Sequence, residues 1–132
     1  VATHITPARI RAPFARYSHG VVVEAGARVL FCSGQLGIAP DDTVPEPAAA
    51  QARLCFDNIA ALLADAGMGP ADLVRLNAYV TARAYLADYM RERDRFIAGI
   101  DPPPASTLMI VSGFAHPDFK IEVEAIAAAA QS

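Results

Sequence analysis

Tryptophan is absent from this chain of 132 residues, and cysteine, lysine and net charge are all scarce. The two cysteines, Cys32 and Cys55, form no CxxC pair and no disulfide framework. Both lie in apolar segments, where a free thiol packs as a small core residue. Lys120 is the one lysine among 11 basic residues, which stand against 14 acidic ones for a net charge of −3. The basic residues are scattered, with a single local cluster at Arg91, Arg93 and Arg95. A chain without a basic stripe is a poor binder of nucleic acid through phosphates and of membrane surfaces. No apolar run approaches the roughly 20 residues of a membrane span. Val1 to Pro13 carries basic residues with no signal-peptide core behind them, so the expected location is the cytoplasm. His4, His19 and His116 are far apart and stand in no HxH or HxxxH spacing, so no metal site is expected. No P-loop or GxGxxG follows a strand and no GxSxG elbow is present, so no cofactor is expected either.

What the chain does have is apolar content. The hydrophobic fraction is 54% and the charged fraction 19%, which excludes disorder for the body of the chain. Its length predicts a single domain over residues 1–132. So little charge on so small a domain also suggests apolar surface hidden in an oligomer.

The pattern predicts strand, strand, helix, strand, helix, strand, strand. Tyr17 to Glu24 and Arg28 to Ser33 read as two strands joined in a hairpin at Gly26. Ala52, Cys55, Phe56, Ile59, Leu62, Leu63 and Ala66 form one helical face, with Pro47 at its start and Gly67 just past its end. Gln51, Asp57 and Asp65 are assigned to the opposite face. Leu73 to Val80 alternates with one apolar set, the mark of a strand with one buried face. A second helix is expected from about Arg83 to Ile97, ended by Pro102-Pro103-Pro104. Thr107 to Val111 and Lys120 to Ala127 are the last strands. Two helices can cover only one face of such a sheet. Its other face should be polar or covered by an oligomer. Glu122 belongs to the set that points to that other face.

Packing explains three segments poorly. Tyr17-Ser18-His19-Gly20 is polar and aromatic at the mouth of a strand. In Cys32-Ser33-Gly34-Gln35 a strand breaks at a glycine, where exposed N–H groups can hold a carboxylate or a carbonyl oxygen. A β-bulge or tight turn is the simpler account of the same residues. Pro104-Ala105-Ser106-Thr107, taken with Glu122, becomes a candidate only if the outer face lines a cleft.

These segments, in this order, resemble the RidA/YjgF family of reactive intermediate deaminases. The resemblance rests on Tyr17-Ser18, Ser33-Gly34-Gln35, Pro104-Ala105-Ser106-Thr107 and Ile121-Glu122-Val123-Glu124-Ala125-Ile126-Ala127. The helix matches too, in Ala48, Gln51, Arg53, Asn58 and Ile59, as does Gly67 followed by Asp72-Leu73-Val74. It implies a chorismate-mutase-like α+β fold, a mixed sheet with two helices packed on one face, and a homotrimer with small-molecule clefts between subunits. It also implies hydrolysis of enamines and imines, such as 2-aminoacrylate, to a keto acid and ammonia. Glu122 would be the catalytic carboxylate. Tyr17, Ser33, Gly34, Ala105, Ser106 and Thr107 would line the substrate pocket, with Tyr89 at a position often polar in the family.

The chain departs from the family at one position. Where the deaminases carry an Arg that grips the substrate carboxylate, this chain has Ala105. A methyl group cannot replace a bidentate guanidinium. Arg16, His19 and Arg75 are candidates for a replacement cation. The expectation is an imine or enamine hydrolase whose substrate differs from the usual 2-imino acid. The alternative is a non-catalytic, small-molecule-binding or regulatory trimer. A different hydrolysis or isomerisation on a bulkier ligand is a third reading. Ribonuclease activity, described for some relatives, fits the charge balance worst.

Overall fold

The longest helix shows how local rules place the core. Pro47 sits in extended backbone, φ −64° and ψ 134°, and cannot donate, which suits the turn before a helix. The following alanines, leucines and glutamine are strong helix formers. At the far end Gly67 takes the left-handed conformation, φ 70°. Met68 N–H then reaches Leu63 O at 2.8 Å and Gly67 N–H reaches Ala64 O at 3.0 Å, a Schellman closure that satisfies the last carbonyls.

The computed structural model describes residues 1–131. In chain order the elements are β1 (Ala2–Ile5), β2 (Gly20–Val23), β3 (Arg28–Leu36), α1 (Ala48–Asp65), β4 (Leu73–Val80), α2 (Leu86–Phe96), β5 (Ala105–Ile110) and β6 (Ile121–Ala129). Single 3₁₀ turns, Pro70–Asp72 and Arg83–Tyr85, lead into β4 and α2. The main sheet has the order β3-β6-β4-β5; β4 and β5 run parallel and the other pairs antiparallel.

Along β4 and β6 alternate residues are buried, as period two requires. Leu76, Ala78, Val80, Ile121, Val123, Ala125 and Ala127 face α1, whose Ala52, Cys55, Phe56, Ile59 and Leu63 complete the core. Phe56 stacks between Tyr89 and Phe96 of α2, at centroid distances of 5.8 and 4.9 Å. The helices thus cover one face, and the other carries Arg75, Asn77, Tyr79, Glu122 and Glu124.

Two expectations are corrected. β2 does not form a hairpin with β3; it pairs with β1, a strand that the sequence reading left out. His4 of β1 is held by Ser18 Oγ and Pro103 O, each at 3.1 Å, so β1 is anchored where β2 begins. β3 instead gives its paired edge to β6. The second correction is Gln51, which is wholly buried on the core side of α1. Its Nε2 donates to Pro45 O and Asp118 O, and its Oε1 accepts from Lys120 N–H, all at 2.9 Å. A Cβ on Gly37 would stand 2.5 Å from the Gln51 Cβ, so only glycine lets the chain pass there. One amide therefore holds two loops, including the entry to β6.

Candidate functional site on the open sheet face

β3 does not end at Ser33. Cys32 pairs with Ala125 and Gln35 with Val123, so Ser33 and Gly34 together face the single residue Glu124. This is a β-bulge, a device that bends a strand and re-aims its groups. It brings the backbone of Gly34 against Glu122: a Cβ added there would lie 2.7 Å from Glu122 Cδ. Glycine is needed here for close approach, since its φ lies outside the left-handed region. Glu122 is half-buried, and among the described residues its carboxylate has no ion pair or hydrogen bond. Ser33, Gly34 and Glu122 thus form one group.

A second group lies at the other end of the sheet. Ser18 bridges to Ala105, donating its N–H to Pro104 O at 3.1 Å and its hydroxyl to Pro103 O at 2.5 Å. That bridge sets Tyr17 beside the start of β5. Tyr17 accepts from Phe14 N–H at 3.2 Å and meets the His19 ring edge-on at 5.7 Å. Ala105 is buried and stands in register with Arg75, and Thr107 stands in register with Asn77. Arg75 donates to Thr107 Oγ1 at 2.6 Å.

Glu122, by contrast, is in register with Tyr79. The four-residue step from Arg75 to Tyr79 is about 13 Å of strand, so one chain does not bring Ala105 and Glu122 together. Ser106 stands in register with Leu76, on the helix side rather than the open side. Tyr89 is not brought to this face at all. It is 1% exposed between the helices, and its hydroxyl is buried without a partner.

Of the three replacement cations, Arg75 alone reaches the open face. Arg16 donates to Ile100 O at 2.5 Å, and His19 Nε2 lies 2.6 Å from Arg11 O. Between the two groups Tyr79 Oη donates to Glu124 Oε1 at 2.7 Å and Asn77 Nδ2 does so at 3.1 Å. The bond to Glu124 holds the Tyr79 phenol above its ordinary value. Sequence reading missed Asn77, Tyr79 and Glu124 as a unit. Alternation placed each on the open side, but only register shows that they meet. Burial pushes the Cys32 thiol up; burial first, and then the charge of Glu122, push Cys55 to about 12, so neither is an activated nucleophile. Among the described residues no group of three or more His, Cys, Asp or Glu side chains could hold a metal ion. No helix among them is long and apolar enough to cross a membrane.

These features define an α+β protein with an open, partly charged sheet face and a carboxylate set at a strand bulge. The chain belongs to the RidA/YjgF family of reactive intermediate deaminases: the family model described as "Endoribonuclease L-PSP" matches residues 7–129. Among its relatives is the RutC family protein YjgH of Escherichia coli, 33% identical over 123 residues and 92% of each chain. The solved Rid family protein YyfB of Yersinia pestis aligns with a TM-score of 0.84 at 29% identity, covering 97% of this chain and 98% of that one. The E. coli protein TdcF, solved with bound serine, aligns with a TM-score of 0.73 at 25% identity, covering 97% and 99%.

Proposed function

We propose that the chain hydrolyses an imine or enamine to a carbonyl compound and ammonia, with Glu122 as general base. The observation that carries this reading is the unpaired Glu122 carboxylate laid against the Gly34 backbone. A water between them is deprotonated by Glu122 as its oxygen adds to the C=N carbon. That proton returns to nitrogen to give the carbinolamine; Glu122 then takes the hydroxyl proton and passes it to the nitrogen as the C–N bond breaks, so that ammonia leaves and C=O remains; an enamine first tautomerises to the imine. In this reading the N–H groups of the Ser33–Gly34 bulge polarise a substrate atom.

The separation of the two groups supports a cleft built from two copies. Glu122, Ser33 and Gly34 come from one subunit, and Tyr17, Ala105, Ser106 and Thr107 from its neighbour in a homotrimer. Family membership and the uncovered apolar residues of the open face, Phe31 and Met109, support the same assembly.

Ala105 favours a second reading, a trimer that binds a small molecule without turning it over, because a methyl group offers no grip on a carboxylate. Ribonuclease action has less support. In the arginine cluster Arg93 is buried, and Arg91 and Arg95 are paired with Asp88 and Glu92.

The test is ammonia release from a panel of imines generated in situ, with and without a carboxylate. Turnover by the wild type and a fall of about 10²-fold or more in Glu122→Gln are expected. Full turnover by Glu122→Gln would overturn the mechanism, and no turnover by the wild type on any substrate would favour the binding reading.

A further inference from the structure

The open sheet face carries one charge of each sign that its own chain leaves unmatched. Arg75 of β4 is half-buried and permanently charged, and among the described residues no carboxylate pairs with it; it donates to the neutral Thr107 hydroxyl. Glu124 of β6 is half-buried too, and among the described residues it meets no cation. Tyr79 and Asn77 both donate to its Oε1, so Oε2 has no donor from the chain. The two charges turn away from each other. Arg75 reaches towards β5, on the side of β4 opposite β6, while Glu124 is drawn to the Asn77–Tyr79 end.

Large apolar side chains flank these charges. Exposed Phe31 lies in the row of Arg75, through Ile126, and exposed Met109 in the row of Tyr79. A surface that covers Phe31 and Met109 also takes Arg75 and Glu124 out of water. A desolvated charge without a partner is strongly destabilising. The covering surface must therefore bring a carboxylate to Arg75 and a cation to Glu124. A partner of one charge sign satisfies one of them and strands the other. A second copy of this face brings one of each. In a closed ring every copy gives its Arg75 to one neighbour and its Glu124 to the other, and no charge is left over.

We propose that copies of this chain join through the open face by an ion pair between Arg75 of one subunit and Glu124 of the partner subunit. The proposal rests on the two-copy reading of the cleft and adds the contact that sets its register. Tyr79 and Asn77 hold Glu124 Oε1 and leave Oε2 for the partner's guanidinium. Glu122 lies one same-face step further along β6, so the pair fixes how the neighbour meets the strand that bears the catalytic carboxylate.

Sedimentation velocity of the full chain at neutral pH tests this by charge exchange. Arg75→Glu and Glu124→Arg each set like charges against each other at every contact. Each should sediment as the single 13.9 kDa chain with unchanged far-ultraviolet circular dichroism. The two substitutions combined in one chain reverse every pair and should regain the wild-type mass. If a charge exchange does not fold, Arg75→Gln and Glu124→Gln carry the test. Each should weaken assembly at least tenfold, and the two together little more than one alone, as for residues that act as a pair. A wild type that sediments as a single chain would overturn the proposal, as would single exchanges that keep the wild-type mass. A folded double exchange that stays a single chain would also overturn it, and with an oligomeric wild type would leave the two-copy cleft standing on other contacts. Mass is read without substrate, so the result is independent of whether the chain turns over an imine.

Discussion

Gly34 and Glu122 act as a unit in which one residue's missing side chain is the other's space. Gly34→Ala inserts a methyl group 2.7 Å from Glu122 Cδ without imposing a left-handed backbone. The carboxylate is the flexible partner and swings aside. The expected result is a 10- to 100-fold fall in kcat with little change in melting temperature, the behaviour of a base displaced by about an ångström. Steady-state kinetics on the best imine, set beside thermal melts, checks it. Cys55 gives a stability prediction of definite sign. Its thiol titrates near 12 in the fold, against about 8.5 in an unfolded chain. Above pH 9 the unfolded state loses this proton and the folded state does not. Stability is therefore full below about pH 8.5 and falls as pH rises towards 12, by at most about 1.4 kcal/mol per pH unit from this group. Burial also raises the Tyr89 phenol, which adds to the fall above pH 10. Urea unfolding at pH 8, 9.5 and 10.5 measures the slope, and Cys55→Ala should reduce it. Of the residues in the candidate site, Glu122 was legible because alternation alone puts it opposite the core. Tyr89 was misread because helical position cannot tell a pocket wall from a core aromatic.

At the scale of elements, α1 was legible nearly end to end. Its period, Pro47 and Gly67 are local signals, and the helix Ala48–Asp65 follows them. Gln51 was misassigned because its polarity outweighed its spacing. It lies four residues before Cys55 and eight before Ile59, on the buried stripe, and three backbone groups compensate its amide. Gln51→Leu leaves Pro45 O, Asp118 O and Lys120 N–H without this partner. A loss of roughly 3 kcal/mol is expected, at the level of a few unmet backbone groups. Urea denaturation measures it, and a loss below about 0.5 kcal/mol would show that the loops hold themselves. The β1–β2 pairing was illegible for a different reason. Two apolar runs around a glycine look like a hairpin wherever they occur, and the true partner of β2 lies 15 to 21 residues earlier, from the pair Ile5 and Gly20 to the pair Ala2 and Val23. The bulge at Ser33–Gly34 was visible as a break but not as a register shift, since its opposite strand is about 90 residues away.

The whole molecule leaves one sheet face without a covering layer. That much followed from counting helices: two cannot cover both sides of a four-stranded sheet. On or beside this face Phe31 is 74% exposed and Met109 52%, large apolar surfaces for a lone domain. Phe31→Glu should shift the sedimentation coefficient to that of a single 13.9 kDa chain and abolish imine hydrolysis, while the far-ultraviolet circular dichroism stays unchanged. Persistence of the oligomer would mean that Phe31 lies outside the contact. The division of site residues between the two ends of the sheet was not legible in the sequence. Order along a chain does not reveal distance across a sheet, and Ala105 and Glu122, 17 positions apart, stand on different strands and different rows.

The Gln51 amide recognises Pro45, Asp118 and Lys120 through their peptide groups alone and is blind to what those residues carry. Side chains in the flanking loops are therefore free to drift, because exchanging them erases nothing that the helix reads. A scaffold wired in this way can be given new loop lettering around its cleft while the strand that bears Glu122 stays where it is.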